Sequence, residues 1–141
     1  MRQDLSPTLQ AFCQQEELLR LAYLDRMGHP HAVPLWFVML EGDYYVGTGA
    51  SSAKWKAMQR NAHIGWVIDG GTRNHYKGAS LSGHVEEVRD AAGRARVYEA
   101  LGKKYYGATD HPQFIETFGS VDDAETVYLR LVSEDSLTWE D

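Results

Sequence analysis

The chain has 141 residues, 43% of them hydrophobic and 24% charged, and its formal net charge is −6. That length suits one domain with a substantial core, and the acidic balance disfavours unspecific attachment to nucleic acid or anionic membrane. The single cysteine, Cys13, rules out an intrachain disulfide and points to a reducing compartment. Met1-Arg2-Gln3-Asp4 does not resemble a secretory leader, and no apolar run approaches the ~20 residues of a membrane helix. One cytoplasmic domain over residues 1–141 is expected.

Ser6-Pro7 reads as an N-cap and first helical residue, opening a helix through Leu9, Phe12 and Cys13 that fades near Glu16-Glu17. Leu19, Leu21 and Tyr23 alternate with Arg20 and Ala22 and predict a strand. Asp25 to Pro30 has turn chemistry. His31 to Leu40 is a long apolar run containing Pro34, and proline is tolerated in a strand only at an edge or a bulge. The ladder should therefore break here, freeing backbone groups for something other than a neighbouring strand. After a turn at Glu41-Gly42-Asp43, Tyr44 to Thr48 predicts the next strand.

Ser52 to Arg60 predicts a short helix with Trp55, Met58 and Gln59 facing inward. His63 to Asp69 reads as a buried strand and Asp69-Gly70-Gly71 as a turn. His75 to Val88 alternates long enough for a bent strand, with Gly78 and Gly83 at bulges or corners. Asp90 caps a helix from Ala91 to Tyr106 that Gly107 ends, and Asp110 to Phe118 is a shorter helix closed by Gly119. Glu125 to Val132 alternates strongly, and Leu137 to Trp139 reads as a last strand. The expected class is mainly β with peripheral helices: six or seven antiparallel strands in a closed or nearly closed barrel.

The stretch from Val46 to Lys56 carries the functional signal. Gly47 and Gly49 leave the strand end without Cβ atoms, so its backbone can approach a ligand. Ser51 or Ser52 is a good N-cap, and the orphan amides of the next turn favour an anion. Thr48, Ser51 and Ser52 add hydroxyls, and Lys54 and Lys56 add charge; the set suits a phosphate ester. The same string also reads as an ordinary capped surface helix. It is neither a Walker A loop, since Lys54 follows Ala53 and precedes Trp55, nor a Rossmann turn, since the preceding strand closes a hairpin.

The order of pieces decides between these readings. Arg20-Leu21-Ala22-Tyr23-Leu24, then Gly28 to Phe37, then Tyr45-Val46-Gly47-Thr48 and Ser52-Ala53-Lys54 resembles the pyridoxamine 5′-phosphate oxidase-like family of FMN-binding split β-barrels. Arg60-Asn61-Ala62-His63-Ile64, Leu81 to Glu86 and Leu129 to Trp139 are similar to its later pieces, although Ala62 stands where the family usually has proline. The resemblance implies a homodimer with FMN between the subunits. It places the flavin ring against the strand of Val33, Pro34, Leu35 and Trp36, and the phosphate on Thr48, Ser51, Ser52 and Lys54. Lys56 joins that set on the same implication, but side chains two apart on a helix diverge, and on that ground it reads first as a surface lysine. Trp55 either covers the ligand or enters the dimer interface, and Trp36 either leans on the ring or fills the barrel.

What the family implies is an FMN-dependent oxidoreductase acting on a small molecule. Relatives imply two alternatives: a deazaflavin-dependent reductase, or a module that holds flavin or haem without turnover. The acidic end, with Glu134, Asp135, Glu140 and Asp141, lacks the basic segment of a true pyridoxamine phosphate oxidase. His29 and His31 flank a proline in a solvated turn, so no metal is expected. No Ser-His-Asp arrangement can be assembled, which leaves hydrolysis without support.

Overall fold

The computed structural model describes residues 4–140; Met1-Arg2-Gln3, read above for a leader, and Asp141 lie outside that range. Four helices, α1 (Pro7–Gln15), α2 (Ala53–Arg60), α3 (Ala91–Tyr106) and α4 (Pro112–Phe118), surround seven strands. The strands are β1 (Leu19–Leu24), β2 (Pro30–Leu35), β3 (Val38–Leu40), β4 (Asp43–Gly49), β5 (His63–Thr72), β6 (His75–Val88) and β7 (Thr126–Trp139). They form one sheet, antiparallel throughout, in the order β2-β1-β5-β6-β7-β4-β3.

That order has a geometric consequence. β2 and β3 stand at opposite edges, yet only Trp36 and Phe37 separate them along the chain. Three peptide units between Leu35 and Val38 span at most ~11 Å, so the sheet curls until its two edges meet. No ladder joins β2 to β3 among the described residues, and the barrel is split along that seam. Pro34 accordingly lies on an edge strand, paired only with β1 opposite Arg20. The expected break falls at Trp36-Phe37, two residues past the proline.

Several expected boundaries move. β5 runs on through Gly70 and Gly71, paired with Lys77 and Tyr76, and the turn is Arg73-Asn74. Gly71 sits at φ 115°, a conformation open to glycine and strained for other residues. Leu137 to Trp139 is no separate strand but the end of β7. The register shifts at Ser82/Gly83, where Gly83 faces Ser133 and Ser82 faces Asp135, so Glu134 is the extra residue of a bulge that bends β7 instead of ending it. Gly78 keeps register and is covered by Trp139, whose ring occupies the place a Cβ would take. Gln59 is exposed, and Ala57 takes the inward position beside Trp55 and Met58. α4 starts at Pro112, its first turn capped by His111 instead of Asp110.

Inside the barrel, Leu19, Leu21, Val46, Ile64, Trp66, Ile68, Leu81, Leu129 and Leu131 are buried, with Leu9 and Cys13 of α1 and Trp55 and Met58 of α2 packed onto them. A second core lies outside the wall, where Val38 and Tyr128 meet Val97, Tyr98 and Leu101 of α3 and Phe114 and Phe118 of α4. β7 serves both cores by alternation: Val127, Leu129 and Leu131 belong to the first, Tyr128 to the second. Among the described residues no helix is long and apolar enough to cross a membrane.

Candidate functional site

The C-terminal end of β4 runs into α2 through Ala50, Ser51 and Ser52. Of the two serines, Ser52 is the cap: its hydroxyl accepts from the Trp55 amide at 3.2 Å. The two glycines before it differ. A Cβ on Gly49 would meet only the Ser52 Cβ, at 3.9 Å, so this backbone is open. A Cβ on Gly47 would lie 2.8 Å from Phe118 Cε1. The space that Gly47 leaves therefore admits a phenyl ring of α4, where the sequence had suggested a ligand.

A cleft of about 520 Å³ opens beside this junction. One side is Pro34, Leu35 and Trp36; a second is Gly47, Thr48, Gly49 and Lys54; the third is Ile115 to Phe118 of α4 with Gly119, Asp123, Glu125 and Thr126. Five of the residues singled out from sequence thus meet here: Pro34, Leu35, Trp36, Thr48 and Lys54. Val33, Ser51, Ser52, Trp55 and Lys56 are not among the lining. Trp55 is 7% exposed and packs in the barrel core. Lys56 is exposed, whereas Lys54 is half-buried and makes no ion pair among the described residues. The α4 side was missed. Pairing of β4 with β7 brings Thr126 opposite Gly49, but nothing in the sequence placed α4 over Gly47.

Side chains of α3 hold that third side in place. The Arg94 guanidinium donates to the carbonyls of Val121, Asp123 and Thr126 at 3.1–3.3 Å and lies 4.8 Å over the Tyr128 ring. Tyr98 donates its hydroxyl proton to the Gly119 carbonyl at 2.9 Å, and Thr126 donates to Phe118 at 3.1 Å. Three carboxylates, Glu116, Asp123 and Glu125, line this side against the one ammonium of Lys54.

The first side is held from α3 as well. At the β2–β3 crossover, the Phe37 amide donates to the Tyr105 hydroxyl at 2.9 Å, and the Phe37 carbonyl accepts from Lys104 Nζ at 2.9 Å. Tyr105 donates onward to the Glu17 carbonyl at 2.7 Å. These are the freed backbone groups expected near Pro34, and helix side chains take them up. Trp36 stacks on the Tyr105 ring, 4.5 Å between centroids and 10° between planes. It is therefore both packed and part of the cleft. Burial pushes the Lys104 amine down to about 8 and the Tyr105 phenol up to about 12.

The sequence matches the family model described as pyridoxamine 5′-phosphate oxidase over residues 5–139. The chain belongs to that family. Proteins of known structure share its fold at low identity. The conserved hypothetical protein Rv2991 of Mycobacterium tuberculosis superposes with a TM-score of 0.82 at 23% identity, covering 99% of this chain and 89% of its own. An FAD-binding protein from Mesorhizobium loti gives 0.71 at 20%, covering 95% and 94%. A structure described as an F420 reductase gives 0.72 at 16%, covering 94% and 98%. No curated protein matches the chain significantly. A pyridoxamine 5′-phosphate oxidase family barrel, split at the β2–β3 seam, is thus the frame in which the cleft sits.

Proposed function

We propose that the cleft binds FMN and that the chain is a flavin-dependent oxidoreductase working as a homodimer. The reading rests on one juxtaposition: an ammonium with no ion pair among the described residues, Lys54, at the start of α2, facing an apolar proline–tryptophan side across a single cleft. Lys54, the Thr48 hydroxyl and the first amides of α2 would take the phosphate. Pro34, Leu35 and Trp36 would lie along the ring. The flavin supplies hydride or electron transfer; this chain holds, orients and shields it.

The residues present favour this ligand over its alternatives. Haem requires an axial ligand, and among the described residues no histidine, cysteine, methionine or tyrosine lines the cleft. A deazaflavin coenzyme carries a longer anionic tail, and here a single ammonium faces three carboxylates. Ile115 lines the cleft yet is 46% exposed, an apolar rim of the kind a second copy would cover.

FMN titration of the purified protein, followed by flavin fluorescence, tests the reading. Lys54→Met is expected to weaken binding on the order of tenfold or more, the worth of one charge-assisted hydrogen bond, whereas Lys56→Met stays near wild type. Absence of binding to the wild type, or equal losses from both lysines, would sink it. Reduction of the bound flavin by NADH or NADPH separates an enzyme from a carrier.

A further inference from the structure

We propose that Tyr105 and Lys104, neither of which lines the cleft, are its positioning residues: together they hold the Phe37 peptide and so set Trp36 as the cleft's apolar side. The functional consequence rests on the flavin reading; the tie itself does not.

Phe37 lies where the ladder stops. Its amide and carbonyl have no strand partner at the seam, and an unpaired buried backbone group is strongly disfavoured. Both groups are instead satisfied by two consecutive side chains of one helix, the amide by Tyr105 and the carbonyl by Lys104. The division of labour is chemically complete. The phenol has a single proton, and its shorter contact is to Glu17 at 2.7 Å, with Phe37 O at 3.1 Å. It therefore accepts from Phe37 and donates to Glu17, tying the α1–β1 connection to the crossover. Lys104 lies 3.6 Å over the Phe37 ring, so its charge is held by a carbonyl and an aromatic face; among the described residues it makes no ion pair, and Glu17 and Glu16 act on it only from beyond that range.

The neighbouring residue transmits this grip. Trp36 precedes Phe37 and stacks in parallel on the ring whose hydroxyl holds Phe37. One tyrosine thus fixes the crossover twice, by its oxygen through the peptide and by its ring through the indole. With both contacts made, the indole has one place to be, along the cleft beside Pro34 and Leu35. Slack in the crossover would let the indole tilt into the cleft and change the surface a flat ligand meets. The half-buried amine, lowered to about 8, is consistent with a group held there by geometry against the pull of solvent.

Three proteins test this: Tyr105→Phe, which keeps the ring and removes the oxygen, Lys104→Met, and Lys103→Met as an exposed control. The readouts are hydrogen exchange of the Phe37 amide, FMN affinity, and the visible circular dichroism of bound FMN, which reports how the ring is seated. Tyr105→Phe is expected to speed Phe37 exchange and to weaken FMN binding, each by on the order of tenfold, with altered flavin dichroism. Lys104→Met follows in the same direction and Lys103→Met leaves all three unchanged. If Tyr105→Phe does not fold, Lys104→Met carries the test alone. Unchanged exchange would remove the tie, and faster exchange with unaltered FMN affinity and dichroism would reduce it to a structural contact; either overturns the proposal. A wild type that binds no FMN ends the flavin reading, and the exchange rates then decide the tie by themselves.

Discussion

Two sides of the cleft are built in different ways. The β4–α2 side assembles from neighbours in sequence: Gly49 opens the backbone, Ser52 caps three residues on, and Lys54 follows within the same turn. The α4 side is held from elsewhere. Its loop carbonyls answer to Arg94 and Tyr98, 21 to 32 residues away on α3. A side made locally can be read from a short string and survives changes at a distance. A side made by remote contacts is invisible in its own sequence and fails when a residue outside the cleft is lost.

The largest expected effect breaks the remote side. Arg94→Ala removes the donor to three loop carbonyls and the cover of Tyr128. It should destabilise the protein by about 2–4 kcal/mol in urea denaturation, and loosen residues 119–126 in hydrogen exchange while leaving α2 unaffected. A smaller effect separates the sides at two glycines of β4. Gly47→Ala drives a methyl toward Phe118 and should cost about 1–3 kcal/mol, whereas Gly49→Ala meets open space and should stay within about 0.5–1 kcal/mol. Equal losses at both positions would erase the distinction between a packing glycine and a clearance glycine.

A third effect is a pH dependence at the crossover. The Lys104 amine is held at about 8 in the folded protein against an ordinary 10.5, because burial disfavours its charge. Between those values the unfolded chain binds more protons, so wild-type stability should rise relative to Lys104→Met from pH 8 toward 10.5, and the gain should vanish as pH falls through 8. A flat difference across that window would show the amine to be solvated.

Legibility in the sequence follows the same division. α1 and α3 announce themselves by Ser6-Pro7, Asp90 and Gly107, whose caps lie within a few residues of what they cap. The break after Pro34 was readable from the missing N–H, and the pairing of β4 with a hairpin partner from the turn at Gly42. The unity of β7 was hidden because Ser133 to Ser136 is polar and looks like a loop; the bulge at Glu134, whose carboxylate meets His84 at 2.6 Å, needs β6 to be seen. The extension of β5 through two glycines is likewise set by pairing, not propensity. In the cleft, Pro34, Thr48 and Lys54 were readable as strand-break and helix-start residues and Trp36 through the family resemblance, while Ile115, Phe118 and Glu125 arrive through tertiary placement alone.

The two-residue link between opposite sheet edges bears on how anything enters this protein. A tether that short caps the width of the slot beside it, whatever the breathing of the strands. A guest as broad as the flat ring system proposed for the cleft would therefore gain no extra room by prising the barrel apart at this seam.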